Sequence, residues 1–473
     1  RIYFALNDLC FSLCFKYANR IFRDFMVRKK YAHSSLASLQ IEEMQLAREY
    51  KAFMAHSVTD FQGKKNHVSL VVGKLNSSDP SLRKEAFFSY WEFIRREEKT
   101  LQNFFDKLLE NRRQQAKRAQ ASSYVPLAFA ELGRTDYTPE DCAQFRNSIL
   151  RTILPHLQSL LPSQLSSLEA SELAPWNYAH WPDLSPASPP AYGNMDELFK
   201  GMKTIVNHIH PSFAHLFEKM LSFGLIDIKP RAAKAPGAFS VTFHESKMPF
   251  LFGNFAANFK DAITFLHEFG HSIHGFAVSQ IENILVRHPG YEFCEVASQG
   301  LELLASPFFK VWWPREGEGQ KALGLHLFHM LSFWPFMAMV DEWQHRIYSA
   351  ENFVEAQERN RIWKELSRKY KPWVNWGGME ELEELGWFSR PHLFTSPFYF
   401  IDYGIAQLGA IQIWLHSKED YQSAVHNYIR AISLGAQRSL PELFAAAQLD
   451  FCFSDDLLNK LASKMVEEIK NSI

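Results

Sequence analysis

The stretch 265-FLHEFGHSIHG-275 places two histidines four residues apart, with a glutamate directly after the first. An α-helix turns about 100° per residue, so His267 and His271 lie on one face, one turn apart, where both imidazoles can reach one metal ion. Glu268 lies beside that line and can reach a water molecule next to the ion. This HExxH spacing predicts one zinc ion per chain, held by the two histidines, with the glutamate as general base.

The residues around the motif help to choose between a metal site and a chance pair of core histidines. The helix is apolar, and two histidines with a glutamate are costly to bury unless they are paired or bind a metal. We expect Phe269 to anchor the helix in the core and Gly270 to allow close packing, since glycine inside a helix costs about 1 kcal/mol relative to alanine. The apolar context therefore favours zinc.

A catalytic zinc ion needs a third protein ligand and one open position. His274 is a candidate, but three ligands on consecutive turns of one rigid helix would surround a tetrahedral ion poorly. A carboxylate from a second helix fits better, and 291-YEFCEVASQGLELL-304 is typical of the start of such a helix. That segment offers three glutamates, among which spacing alone does not choose: Glu292, Glu295 and Glu302.

Most of the chain carries apolar residues close to the 3.6-residue helical period, with few Gly or Pro. The clearest case is 83–118, where Asp79 can cap the helix and Pro80 can occupy its first position. The same pattern recurs at 139–169, 194–224, 318–350 and 404–434. By contrast, residues 236–255 show alternating apolar positions followed by a polar turn, which predicts a β-hairpin beside the motif helix. The predicted fold is mainly α.

A Pro- and Ser-rich stretch, DLSPASPPAY at 183–192, interrupts the helical pattern. We therefore predict an N-terminal helical region at 1–180, a connection at 181–193 and a zinc-binding catalytic domain at 194–473.

Composition excludes several classes of protein. Hydrophobic residues make up 47% of the chain, which excludes a disordered protein. The 51 Lys and Arg nearly balance the 52 Asp and Glu, so we expect neither a nucleic-acid nor a membrane-surface partner. No apolar run reaches the roughly 18 residues that a membrane span needs. The five scattered cysteines predict reduced thiols and a cytoplasmic protein, and we interpret Cys10 and Cys14 as packing residues.

HEFGHSIH followed by CEVASQGLELL resembles the thimet oligopeptidase and oligoendopeptidase F family of zinc peptidases, most closely its Pz-peptidase-like branch. Further segments resemble the family in the same order: GRTDYTPED (133–141), RAAKAPGAF (231–239), VDEWQHRIY (340–348) and PHLFTSPFYFIDYGIAQLGA (391–410). The resemblance therefore extends over most of the chain, from near residue 80 to near residue 450.

The resemblance implies Glu295 as the third zinc ligand. It also implies that Glu302 is an acid next to the site that holds one of the ligand histidines. His274 and Glu292 are then packing or surface residues.

Three further site residues follow from the resemblance, which implies that a histidine and one or two tyrosines face the substrate and stabilise the oxyanion. The matching residues are His392, Tyr399 and Tyr403. The two tyrosines are four residues apart and could share a helix face, although Pro397 could break that helix.

The resemblance implies a large helical, clam-shell-like peptidase with a deep substrate channel and a small β-sheet beside the zinc helix. We expect it to hydrolyse internal bonds of short unstructured peptides, which the hairpin could bind as an added strand. Two alternatives stay open: an HExxH carboxypeptidase, and a catalytically inert peptide-binding protein, against which the intact Glu268 argues. The sequence leaves the oligomeric state open.

Overall fold

The structure, a computed structural model, describes residues 23–32, 35–186, 195–231, 234, 237–255 and 258–473. Cys10, Cys14 and residues 187–193 of the predicted connection lie outside these ranges.

The described residues form two compact units. The HExxH unit takes most of its residues from Asp183–Leu331 and Asp402–Ile473, and the second, here called the N-terminal unit, comprises Phe25–Pro182 and Ser332–Ile401. The change of unit after Pro182 falls close to the predicted connection. Residues 332–401, however, group with the N-terminal part of the chain, although they follow the HExxH motif in sequence.

Helices make up most of both units, as the apolar periodicity predicts. Residues 23–186 contain α1 (23–31), α2 (Leu36–His56), α3 (Val68–Lys74), α4 (Pro80–Arg96), α5 (Glu98–Arg118), α6 (Tyr124–Glu131), α7 (Pro139–Ser148) and α8 (Leu154–Ser167). A π-helical segment, Ile149–Ile153, joins α7 to α8. A two-stranded hairpin, β1 (Val58–Phe61) and β2 (Lys64–His67), lies between α2 and α3.

The rest of the chain continues the helical pattern. Its helices are α9 (Met195–Ile209), α10 (Pro211–Ser222), α11 (Phe259–Ser279), α12 (Tyr291–Leu304), α13 (Glu318–Tyr348), α14 (Ala356–Tyr370), α15 (Glu380–Glu384), α16 (Pro391–Thr395), α17 (Phe400–Glu419), α18 (Tyr421–Ile432), α19 (Leu440–Ala446) and α20 (Asp455–Asn471). Short 3₁₀ segments occur at Pro175–Asn177, Pro182–Leu184, Ile284–Val286, Ser306–Val311, Leu385–Ser389 and Gly435–Gln437.

The predicted hairpin is confirmed. Strands β4 (Ala238–Phe243) and β5 (Met248–Gly253) pair antiparallel, with Phe239 opposite Phe252. A short parallel strand, β3 (Ile226–Asp227), pairs with the other side of β5, so β4 is an edge strand of a three-stranded sheet.

Three of the predicted continuous helices are wrong in length, because each divides into two. The 83–118 segment breaks at Glu97, whose backbone leaves the helical region (φ −96°, ψ 8°), although Asp79 caps α4 as predicted by accepting from Ser81 N at 2.8 Å. The 194–224 segment breaks at His210, because the proline that follows disfavours helical geometry there. The 404–434 segment breaks at Asp420, whose carboxylate caps α18.

Within the described ranges, α13 alone is long and apolar enough to cross a membrane. Its sequence shows no unbroken apolar run of that length, because His326 and His329 lie within it. The apolar window of α13 is 83% buried inside the protein, and core helices of soluble proteins pass the same test, so this is weak evidence for a membrane span.

Candidate active site

Helix α11 carries the HExxH motif and is held rigidly at both its start and its middle. At its start, Asn258 accepts from Asp261 N at 2.9 Å while the Asp261 carboxylate accepts from Asn258 N, a reciprocal cap that fixes where the helix begins. In its middle, Phe269 is fully buried, with its ring centroid 5.4 Å from that of Phe217. This confirms the predicted anchoring role of Phe269.

Gly270 brings α11 unusually close to α12. A Cβ atom at this position would lie 2.6 Å from Ser298 Cα and 3.0 Å from Ala297 O, which is closer than side chains tolerate. The predicted role of Gly270 in close packing is therefore confirmed. This approach places the histidine face of α11 directly against the acidic residues of α12.

The two motif histidines and Glu295 converge. Glu295 Oε2 lies 3.3 Å from His267 Nε2 and 3.8 Å from His271 Nε2. One ligand atom from each of the three residues lies within 4.8 Å of the other two. Two imidazoles and one carboxylate are a donor set that catalytic zinc prefers, so the residues fit the ion that the motif predicts.

Glu302 holds the first histidine in the orientation that a metal ligand needs. His267 Nδ1 donates to Glu302 Oε1 at 2.6 Å, which leaves Nε2 as the atom that faces Glu295. The expected contact between Glu302 and a ligand histidine is thus present.

Glu302 has a second partner that no sequence pattern predicts. His326 Nε2, on α13, lies 3.0 Å from Glu302 Oε2. No motif marks His326, because the contact arises only when α12 and α13 pack together.

The electrostatics of the cluster favour a cation. Burial alone would lower the pKa of His267, but hydrogen bonds to Glu295 and Glu302, and their negative charges, raise it well above its usual value. Burial would raise the pKa of Glu302, yet its histidine partners hold it at about 2. A positive charge is therefore stabilised where the three ligand atoms meet.

Glu268 differs from the other acids of the site. Burial, together with the neighbouring carboxylates, raises its pKa to about 7, despite the opposing effect of His267. Its Oε2 atom is buried and has no hydrogen-bond partner among the described residues. A buried carboxylate oxygen without a donor is poised to accept a proton.

His274 and Glu292 do not join the cluster. Both side chains are buried, and His274 Nε2 has no hydrogen-bond partner in the described part of the chain. Burial lowers the pKa of His274 to about 3, so this imidazole is neutral and acts as a core residue. Both positions agree with the packing role expected of them.

Tyr403 belongs to the same unit as the three converging residues. Its backbone carbonyl accepts from Gln299 Nε2 at 3.4 Å, and Gln299 lies on α12, one turn after Glu295. The Tyr403 side chain is partly exposed.

His392 and Tyr399 belong to the N-terminal unit, where their rings lie nearly parallel with centroids 6.1 Å apart. The expectation that Tyr399 and Tyr403 share a helix face is wrong. Tyr399 lies in the turn before α17, since Pro397 interrupts the helix and Phe398 adopts a left-handed backbone (φ 64°). The catalytic roles of His392, Tyr399 and Tyr403 stay a prediction.

The left-handed Phe398 is held in place through both of its main-chain polar groups. Its N–H donates to Gln344 Oε1 at 2.6 Å, and its carbonyl accepts from Arg134 Nη2 at 2.6 Å. These bonds fix the backbone directly before Tyr399.

Comparison with known proteins identifies the family of the chain. The family model for peptidase family M3 matches residues 74–463, and the chain therefore belongs to that family.

Two curated relatives are longer than this chain. An oligoendopeptidase F homolog of Borreliella burgdorferi is 27% identical over 238 residues, which are 47% of this chain and 38% of the relative. Oligopeptidase PepF of Bacillus subtilis is 24% identical over 285 residues, 58% of this chain and 40% of the relative. The matched parts thus span about two fifths of each curated relative.

Solved structures resemble almost the entire chain. Pz peptidase A, solved with an inhibitor, is 27% identical with a TM-score of 0.91, over 97% of this chain and 81% of that one. A structure assigned to oligoendopeptidase F is 26% identical with a TM-score of 0.92, over 99% and 83% of the two chains. The predicted family and the mainly helical fold are confirmed.

Proposed function

We propose that the protein is a zinc-dependent oligoendopeptidase that hydrolyses internal bonds of short, unstructured peptides. The observation that carries this proposal is the convergence of His267, His271 and Glu295, with one ligand atom from each within 4.8 Å of the others. Membership of peptidase family M3 supports it.

His267, His271 and Glu295 would hold the ion. When bound, zinc supplies Lewis acidity, which polarises the scissile carbonyl and activates water. Glu302 accepts from Nδ1 of His267, so that Nε2 points to the place where the ligand atoms meet and can bind the ion.

Glu268 is the general base. Its unpartnered Oε2 accepts the proton of the attacking water and passes it to the leaving amine. The intact carboxylate favours an active peptidase over an inert binding protein.

The family resemblance implies three donors to the oxyanion that forms at the scissile carbonyl, Tyr403, Tyr399 and His392, and Tyr403 belongs to the same unit as the ligand cluster. A well-placed donor of this kind contributes on the order of 3 kcal/mol to the transition state.

The free edge of β4 is the proposed docking strand for the substrate backbone. In the described part of the chain, only β5 pairs with β4. An extended peptide can add to such an edge through main-chain hydrogen bonds, which set its register without demanding a particular sequence.

The test compares wild type with Glu268→Gln on an internally quenched peptide of about ten residues, long enough to form an added strand. Removal of the base should lower kcat by about 10²- to 10⁴-fold, while zinc content stays at about one per chain. Mass spectrometry of the products should show internal cleavage. Glu282→Gln, an exposed glutamate of the same unit, is the matched control and should behave as wild type.

Three results would contradict the proposal. Release of single C-terminal residues would indicate a carboxypeptidase. Bound zinc without cleavage by wild type would indicate an inert binding protein. Equal activity in wild type and Glu268→Gln would remove Glu268 as the base.

A further inference from the structure

Strand β4 presents a row of apolar side chains to solvent. Its sequence, AFSVTF at 238–243, contains no charged residue and no proline. Phe239, Val241 and Phe243 are 49%, 43% and 50% exposed, while the residues that alternate with them are partly buried. Edge strands of natural proteins are commonly protected by charged residues or proline. An uncharged edge with three exposed apolar side chains is therefore suited to receive another extended chain.

The opposite face of β4 is attached to the HExxH helix, α11. Ser272 Oγ donates to Glu268 O at 3.0 Å, so the 2.9 Å bond between the two serine hydroxyls uses the proton of Ser240. About one turn further along α11, a Cβ atom at Gly275 would lie 2.0 Å from Thr242 Oγ1. Because these two contacts lie on successive inward positions of β4, the strand cannot slide along α11 without losing both.

These contacts lie on the side of α11 that carries the proposed general base. At about 100° per residue, Ser272 and Gly275 both lie within about 40° of Glu268 around the helix axis. Strand β4 and helix α11 belong to the HExxH unit, as do the three candidate zinc ligands. Each position along β4 is therefore held at a fixed distance from the cluster of ligand atoms.

One side chain of the apolar row is held in place by the neighbouring strand. The ring of Phe239 stacks on that of Phe252 in β5, with centroids 5.0 Å apart and an angle of 16° between the planes. Lys234 Nζ lies 4.8 Å from the centroid of Phe252. A side chain that is ordered before binding loses less conformational entropy when it contacts a ligand. Phe239 thus offers a preformed contact surface.

We propose that Phe239, Val241 and Phe243 select peptide substrates with apolar side chains at every second position. In an added strand, the residues directly opposite these three point to the same face of the sheet and form cross-strand pairs with them. A shift of one residue turns the apolar side chains of the peptide to the other face, so the row favours one register. Because β4 is fixed against α11, that register sets which bond is cleaved. This preference rests on the peptidase function proposed above.

The test uses two peptides of about ten residues with identical composition. In the alternating peptide, three leucines are separated by single polar residues, and in the block peptide the three leucines are consecutive. Wild type should cleave the alternating peptide with a KM at least about fivefold lower, as expected for two or three cross-strand pairs. Moving the alternating leucines by one residue should move the cleaved bond by one residue, which mass spectrometry of the products detects.

Three substitutions of Val241 distinguish selection of the substrate from a structural role. Val241→Thr keeps the shape of the side chain and should raise the KM of the alternating peptide to that of the block peptide, with wild-type zinc content. Val241→Ile should keep the preference. Val241→Lys should favour an alternating peptide with glutamate in place of its central leucine, which a purely structural role would not produce. Ile284→Thr, at an exposed apolar position of the same unit outside β4, is the matched control.

Several results would overturn the proposed preference. Equal KM values for the two peptides in wild type would refute it, as would a cleaved bond that stays in place when the leucines move. Equal losses on both peptides in Val241→Thr would indicate a structural role. If Val241→Thr weakens the contact between two copies of the chain and leaves the peptide preference intact, the apolar row binds a second copy instead of a substrate.

Failure of the peptidase function itself gives a different result. If wild type cleaves neither peptide, that function fails, and calorimetric titration of both peptides into Glu268→Gln then tests the preference by itself. Binding of the alternating peptide that is at least about fivefold tighter, and that a second substitution, Val241→Thr, abolishes, would support the preference. Equal binding of the two peptides would refute it.

Discussion

At the scale of single residues, Glu302 links the candidate zinc ligands to the core of the HExxH unit. One of its carboxylate oxygens accepts from His267, and the other lies next to His326. Because the second partner lies on α13, the orientation of a ligand histidine depends on a helix that carries no ligand.

We expect Glu302→Gln to weaken zinc binding by about 10- to 100-fold, since the amide holds the imidazole less firmly and lowers its basicity. Competition titration with a chelating dye measures this affinity. Glu282→Gln serves as the control, because that glutamate is exposed and outside the cluster. If Glu302→Gln binds zinc as tightly as wild type, the hydrogen bond from His267 to Glu302 does not contribute to zinc binding.

Sequence reasoning could find some of these residues and not others. His267, Glu268 and His271 follow from helical geometry, because their spacing is local. Choosing Glu295 required the family resemblance, since three glutamates share one helix. The sequence gives no signal for His326, because its contact with Glu302 forms only on tertiary packing.

At the scale of elements, the contact between α11 and α12 sets the distance between the histidines and Glu295. Gly270 permits this contact, because a Cβ atom at this position would clash with the backbone of α12. We expect Gly270→Ala to force the helices apart, to destabilise the protein by about 1–3 kcal/mol and to weaken zinc binding.

Gly73 offers a matched control for that substitution. It lies in α3, and a Cβ atom there would meet nothing within 4 Å. Gly73→Ala should therefore stabilise the protein by up to about 1 kcal/mol. Urea unfolding of both variants, with zinc titration of each, measures the difference; equal stability in the two would count against tight α11–α12 packing.

The helix boundaries show a limit of sequence patterns. Breaks at His210 and Asp420 carry recognisable signals, namely the proline that follows His210 and the capping carboxylate of Asp420. The break at Glu97 carries none, because glutamate is a good helix former and the apolar period continues across it. At Glu97, the packing of α4 and α5 outweighs the local preference of the sequence for a continuous helix.

At the scale of the whole molecule, stability should depend on pH through buried histidines away from the site. Burial and the charge of Arg83 lower the pKa of His180 to about 4, although its bond to Leu75 O opposes this. The unfolded chain binds a proton near pH 6.5, whereas the folded chain does not.

The stabilisation that neutral His180 provides is therefore complete above about pH 6.5 and is lost as the pH falls towards 4. We expect His180→Gln to reduce the loss of unfolding free energy over this interval by on the order of 1–3 kcal/mol. Denaturant unfolding at pH 7, 6, 5 and 4 measures it. If the unfolding free energies of variant and wild type fall by the same amount between pH 7 and pH 4, groups other than His180 cause the loss of stability in acid.

The family match spans residues 74–463 and so includes most of both compact units. Sequence order alone predicts one domain at 194–473. The return of residues 332–401 to the N-terminal unit reflects long-range packing, which periodicity does not report. The predicted cytoplasmic location stays a prediction.

Strand β4 has a consequence for how the protein behaves in solution. Its outward side chains, Phe239, Val241 and Phe243, are each exposed by more than two fifths, next to an edge whose main-chain groups are unpaired in the described part of the chain. Such an edge is a template for self-association as well as for a ligand. Aggregation should therefore rise with protein concentration, and an occupying peptide should act as a solubilising agent.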